Sequence, residues 1–230
     1  MFGPRRRTEP IDVAADKLAE EPTSGLDAEA QHDERLIRAA QRGDLTSFNA
    51  LVVRHERTVY NLCLRMLRDV ASAEDATQET FLKAWTAIGT FRGGLVRPWL
   101  LRIATNRCYD ILRARGRRPA DSLDAEPFES EPAWTSQSAG SEHPEVFAAR
   151  AELSAHLEQA LAMLPEDQRL VVILSDVHGH PYDEISAITG VAVGTVKSRL
   201  SRARSRLRDA LRDDQDSREL FERFARFSED

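Results

Sequence analysis

Cysteine is scarce in this chain, and long apolar runs are missing from it. Cys63 and Cys108 are its two cysteines, each alone on a helical pattern without a C-x-x-C companion. A disulfide framework and a paired-cysteine metal site are thereby excluded, and both residues read as small buried hydrophobes in a reducing cytoplasm. No apolar stretch is long enough to span a bilayer, so membrane insertion is not expected. The opening residues MFGPRRRTEPID carry arginines but no apolar segment behind them, so no secretion signal is expected either. Period-two alternation is absent, which leaves no strand pattern and points to an all-α chain. The one cluster of histidines with carboxylates is His178-Gly179-His180 beside Asp176, Asp183 and Glu184. A single glycine between two histidines is poor metal-ligand spacing, so neither an enzyme nor a metal or cofactor is expected.

Hydrophobic content of 41% and charge of 30% over 230 residues fit a soluble chain of one or two small domains. The net charge of −6 is unevenly spread. Arg97 to Arg118 is basic apart from Asp110, and Lys197 to Arg212 is basic apart from Asp209. Between them, Pro119 to Phe147 holds seven acids and no lysine or arginine. Two basic surfaces are thus separated by an acidic connector. Such a chain should hold naked duplex DNA weakly, because non-specific affinity scales with the phosphates neutralised, and should need a partner to bind it usefully.

The pattern along the chain divides it in five. Residues 1–32 are polar, acidic and proline-interrupted, as in a disordered arm. Residues 33–118 carry helical periodicity. Leu36, Ile37 and Ala40 form a short helix that Gly43 ends, Phe48 to Leu67 a long amphipathic one, Ala73 to Ile88 a third and Trp99 to Arg115 a fourth. Residues 119–144, rich in Ser, Pro, Glu and Asp, read as a flexible linker, in which Phe128 and Trp134 are either incidental or dock on a partner. Residues 145–212 are helical again, with Pro165 at the first position of a helix that opens on Glu166 and Asp167. Residues 213–230 form an acidic tail in which Leu220, Phe221, Phe224 and Phe227 are spaced for a short amphipathic helix.

Tyr182 to Arg206 carries the sharpest signal. Ile185, Ser186, Ile188, Gly190, Val191, Val196 and Leu200 give the apolar or small positions of two short helices with glycine at the turn, the layout of a helix-turn-helix. Its second helix is loaded with arginine, whereas a merely solvated helix mixes both signs. On the third helix Asp75, Gln78, Glu79 and Leu82 share a face away from Phe81 and Trp85, which is either an ordinary solvated face or a dock for a basic helix. On the fourth, Trp99, Arg102, Asn106, Arg107, Tyr109 and Arg113 combine rings, arginines and an amide. Single-stranded nucleic acid is held by such sets, although each ring alone could equally belong to the core.

Taken in order, AEDATQETFLKAW, TFRGG, WLLRIATNRCYDILR, the acidic linker, LPEDQRLVVIL and GTVKSRLSRARSRLR resemble a bacterial sigma factor of the sigma-70 family, in its compact extracytoplasmic-function (ECF) group. The resemblance covers about Asp33 to Arg118 and Pro144 to Arg212. It implies a sigma-2 domain over 33–118 and a sigma-4 domain over 145–212. It implies that Asp75, Gln78, Glu79 and Leu82 dock on the β′ clamp coiled coil of RNA polymerase core, with a further contact to the β subunit. Phe91 and Asn106 match a pocket that captures a base extruded from the −10 element, with Trp99, Arg102 and Arg107 in support. Thr195, Lys197, Ser198, Arg199 and Arg202 match the −35 reader. Ser186 stands where alanine is usual, Ala192 where a capping residue such as serine is, and Leu95, Val96 and Pro98 depart from the common residues of the melting loop. The expected partners are polymerase core and promoter DNA, with an anti-sigma protein as a further candidate, in the cytoplasm. The alternative is a free-standing helix-turn-helix regulator, but residues before the linker show neither an alternating β/α receiver pattern nor a dimerising heptad.

Overall fold

A computed structural model of the chain describes residues 25–117 and 155–213. The expected arm up to residue 24, the acidic linker with Phe128 and Trp134, and the tail with its phenylalanines lie outside the described residues. Within them every regular element is helical and no strand occurs.

Helix α1 (Gly25–Gln41) starts eight residues before the expected Asp33, so residues 25–32 are helical where an arm was expected. Its Ile37 and Ala40 are almost fully buried, and Gly43 ends it at φ 92°, a left-handed conformation that suits glycine. Asp44 then caps α2 (Leu45–Leu67) by accepting from the Thr46 amide at 3.0 Å and the Ser47 hydroxyl at 2.6 Å. At the other end Arg68 takes φ 58° and its amide donates to the Leu64 carbonyl at 2.8 Å. Asp69 caps α3 (Val70–Ala87) through the Ser72 amide at 2.8 Å. A 3₁₀ turn, Ile88–Thr90, leads to an open loop and then to α4 (Val96–Arg117). Pro98 lies in the first turn of α4, where a missing N–H leaves no intrahelical bond unmade.

In the second body, residues 145–154 lie outside the described residues, and the first element described is α5 (residues 155–162). Pro165 is the residue before α6 (Glu166–Val172) and not its first member, with ψ 145°, one position earlier than the sequence suggested. A π turn, Ile173–Val177, widens the end of α6, and Gly179 at φ 70° turns the chain. Then come α7 (Tyr182–Thr189), Gly190 at φ 73°, and α8 (Val193–Asp213).

The two bodies pack together, which the sequence did not show. Leu62 to Leu67 at the end of α2 and Gln168 to Leu174 in and after α6 are each buried at every position. A helix in a small bundle buries one stripe, so burial all round means that a second layer covers it. Here that layer is the other body, and the residues of both belong to one continuous apolar core. Arg65, with its side chain 4% exposed, pairs across the boundary with Glu158 of α5 at 2.8 Å.

Candidate nucleic-acid interface

On α3, Asp75 and Gln78 are exposed and Leu82 is 66% exposed, while Phe81 and Ala84 face the core. The anticipated polar face therefore exists, with a large apolar side chain left in water at its centre. Glu79 differs from its neighbours: its carboxylate accepts from Arg107 of α4 at 2.7 Å. One residue assigned to polymerase and one assigned to DNA are thus tied to each other. Arg107 is half-buried, and its Nε is left inside without a hydrogen-bond partner, so the bond to Glu79 is what holds the guanidinium.

The loop before α4 and the first turns of that helix bring four of the −10 candidates together. Phe91 meets Trp99 edge-on, with ring centroids 5.3 Å apart and planes at 63°. Trp99, Arg102 and Asn106 follow at offsets of three and seven, so they form one stripe, and Arg102 and Asn106 are exposed. Gly93 and Gly94, at φ 111° and 93°, carry the loop through left-handed conformations, and the half-buried Phe91 ring packs at the edge of the core. Leu95 stays 48% exposed, while Val96 inserts into the core. Tyr109 continues the stripe but is half-buried. Burial raises its phenol pKa, and Arg199, Asp167 and Glu166 of the second body are close enough to modulate it.

In the second body, Val196, Leu200 and Ala203 fix α8 on the core. At 100° per residue Thr195, Ser198, Arg199 and Arg202 then share one outer face, which exposed Arg206 extends. The sequence reading did not single out Arg206 for this face, although the i, i+4 spacing from Arg202 would have found it. Lys197 falls about half a turn away and lies over the Tyr182 ring at 5.9 Å, so it does not share the face of the other four. Arg199 is held by Asp167 at 2.9 Å, and Arg204 by both oxygens of Asp176 at 2.6 and 3.1 Å. The serine that stands at position 186 closes the turn, its hydroxyl donating to the Val191 carbonyl at 2.6 Å. Ala192 supplies only its carbonyl to the start of α8, to the amides of Thr195 at 2.8 Å and Val196 at 3.1 Å.

The histidines belong to the boundary between the bodies. Arg97 of α4 donates to the His178 carbonyl at 3.4 Å. Burial, with Arg97, Arg65 and His180 nearby, pushes the His178 imidazole down to about 3. Burial also lowers His180, against the opposing pull of Glu184, whose carboxylate lies 2.7 Å from its ring nitrogen. Both rings are therefore neutral near pH 7. Among the described residues no group of three or more His, Cys, Asp or Glu is placed to hold a metal ion. No helix among them is long and apolar enough to cross a membrane.

Comparison with known proteins accords with this geometry. The family models for sigma-70 region 2 and sigma-70 region 4 match residues 51–118 and 155–207. The RNA polymerase sigma-H factor of Pseudomonas aeruginosa is 39% identical over 186 residues, covering 79% of this chain and 94% of that protein. The ECF RNA polymerase sigma-E factor of Escherichia coli K12 is 39% identical over 177 residues, covering 75% and 90%. Among solved structures, the sigma factor RpoE bound to the anti-sigma factor NepR, from Bartonella quintana, aligns with a TM-score of 0.59 and 30% identity, over 74% of this chain and all of that one. CnrH bound to the cytosolic domain of CnrY aligns with the same TM-score at 26% identity, over 80% and 99%. With two relatives at this identity aligned over nearly their whole length, and both of its helical bodies matched by the family's regions, the chain belongs to the ECF group of the sigma-70 family of RNA polymerase sigma factors.

Proposed function

We propose that this chain is a promoter-specificity subunit of bacterial RNA polymerase. It binds core enzyme through α3, reads the −35 element with the outer face of α8, and opens the −10 element with α4 and the loop before it. It carries out no covalent chemistry and acts in the cytoplasm, where core polymerase and promoters meet. The observation that carries the reading is the coexistence in one chain of two separately built surfaces that combine exposed arginine with polar side chains. One is the Phe91, Trp99, Arg102 and Asn106 stripe; the other is the Thr195, Ser198, Arg199 and Arg202 face.

Promoter opening without a fuel requires that unpaired bases be held more tightly than paired ones, since equal binding shifts no equilibrium. The Phe91 ring can cover a base face. The Asn106 amide offers a donor and an acceptor to a base edge. The exposed Arg102 supplies charge for the phosphates. On α8 the arginine fork is suited to two acceptors on one guanine edge, and Thr195 and Ser198 to single polar contacts.

The observed closed arrangement does not reach both elements. At ~3.4 Å per base pair, sites about 25 base pairs apart are on the order of 85 Å from each other. A compact body of about 150 residues has a radius of gyration of roughly 15 Å, and so is only about 40 Å across. Arg65 and Glu158, which pair across the boundary between the bodies, must therefore part before both surfaces engage one promoter. An anti-sigma protein, of the kind bound to the Bartonella quintana neighbour, is the partner class that would act before this separation.

Run-off transcription with purified core enzyme tests the reading. Promoter-dependent transcripts should require both the chain and core. Sequence-specific binding to duplex DNA by the chain alone, with no stimulation of core, would identify a free-standing helix-turn-helix regulator instead.

A further inference from the structure

We propose that Gln41, the last residue of α1, is a positioning residue for base capture, holding the stalk on which the Phe91 ring is presented. The proposal rests on the reading of Phe91 as a base-covering ring. The side-chain amide of Gln41 donates to the Ile88 carbonyl at 3.0 Å and to the Phe91 carbonyl at 2.9 Å. Both partners are carbonyl oxygens, so only the nitrogen end of the amide can face them, and the orientation is unambiguous.

The base of this strut is fixed. Ile37 and Ala40, one turn or less before it, are each 1% exposed, and the turn after it is closed by amide bonds from Arg42 to Ala39 at 3.0 Å and from Gly43 to Ala40 at 2.9 Å. Its far end meets backbone that has few other ties. The Ile88 carbonyl also accepts the Phe91 amide at 3.2 Å, closing the 3₁₀ turn. Phe91 opens the loop that Gly93 and Gly94 carry through left-handed conformations. Bonding both carbonyls from one side chain holds the peptide plane after Phe91 directly and the plane before it through the Ile88 carbonyl that accepts the Phe91 amide, at φ −66° and ψ 117°, and so fixes where the ring meets Trp99. A ring held in place before the base arrives spares the complex the entropy of ordering it later. Gln41 lies 47 residues from Ile88 and 50 from Phe91 in sequence, and a glutamine at a helix end carries no signal of its own.

The test uses holoenzyme on duplex promoter, read by permanganate reactivity of thymines near the start site. Gln41→Met keeps length but has no donor, and should reduce open complex roughly three- to tenfold, the worth of one or two such bonds. Closed-complex occupancy should stay within about twofold, since docking and −35 contacts are untouched. Gln41→Lys keeps donors and should stay closer to the parent than Gln41→Met. In a Phe91→Ala background Gln41→Met should add less than about twofold, because a residue that acts through a ring has nothing to hold once the ring is gone. Full opening by Gln41→Met, an equal loss in both backgrounds, or a defect in Gln41→Lys as large as in Gln41→Met would each overturn the proposal while leaving the capture reading standing. Normal opening by Phe91→Ala would overturn the capture reading and the role of Gln41 with it.

Discussion

Arg169 donates from its guanidinium to the Met66 carbonyl at 3.1 Å, joining α6 of the second body to the end of α2 in the first. The same group donates to the carbonyls of Leu161 at 3.1 Å, Ala162 at 2.8 Å and Leu164 at 3.0 Å. The carbonyls of Met66, Leu161 and Ala162 belong to the ends of α2 and α5, where a helix has no intrahelical donors left to offer, and that of Leu164 to the turn after α5. A cation there also meets the negative end of the helix dipole. One side chain, 8% exposed and with no carboxylate of its own among these bonds, thus caps two helices and closes the boundary.

Arg169→Met should therefore cost on the order of 3 kcal/mol in denaturant unfolding, since it strips donors from several buried carbonyls at once. Arg169→Lys should recover less than half of that, because an ammonium cannot reproduce the planar fork. Equal stability of both variants and the parent would show that water replaces the guanidinium without penalty.

The closed state should weaken in mild acid. His178 is neutral when buried, with its pKa held down to about 3, and returns to about 6.5 when exposed. Below 6.5 the opened or unfolded chain binds a proton that the closed chain refuses, so stability falls as pH falls and is fully present above that value. His180, also lowered by burial, acts in the same direction. Asp33 does not contribute in this window. Burial resists its ionisation, but His55 and Arg54 outweigh that effect and hold its pKa below 3.8. Between pH 7.5 and 5.5 the loss from His178 should be on the order of 1 kcal/mol, read by thermal unfolding. His178→Gln should flatten that dependence, and an unchanged slope would remove His178 as its source.

Core docking should fall with Asp75→Lys and with Leu82→Ser, each without loss of helicity, since both side chains stand in solvent. Together they should weaken co-purification with core by about tenfold or more, in line with removal of a charge and an apolar anchor. Glu79→Lys is a less clean probe, because it also releases Arg107. Undiminished affinity in the Asp75 and Leu82 variants would mean that core binds another face.

At the −35 element, Arg202→Ala should cost about 1–3 kcal/mol and relax preference at one position if its fork meets a base edge. Arg199 first has to leave Asp167, so Asp167→Asn should strengthen promoter binding and Arg199→Ala should cost less than Arg202→Ala. Lys197→Ala should leave the sequence preference intact and at most lower the salt slope by about one, given its place over Tyr182. Selection from randomised −35 sequences separates these outcomes, and a shifted preference in Lys197→Ala would put that residue back in the groove.

Much of this protein was legible in its residues one stretch at a time. The apolar spacing of Phe48 to Leu67 and of Ala73 to Ile88 marked α2 and α3 to within three residues, because each helix writes its buried stripe locally. Gly43 and Gly190 marked turns that only a residue tolerant of positive φ accepts easily. Asp75, Gln78 and Leu82 formed the outer face that their offsets implied, and Phe91 reached Trp99. Lys197 was grouped with the reader face by proximity along the chain, and only the direction fixed by Val196 and Leu200 separates it.

What the sequence alone determined is thus the set of helices, the family, and which charges lie on which stretch, since these depend on neighbours a few positions apart. The tertiary structure decided the closed packing of the two bodies, the tie between Glu79 and Arg107, the bond from Arg169 to Met66 and the reach of Gln41 to Phe91. These three bonds join groups 28 to 103 residues apart, and two of them end on a backbone carbonyl, which accepts a bond whatever side chain its residue carries. A contact of that kind leaves no mark on the sequence at the accepting end, and so it can be seen only once the chain is folded.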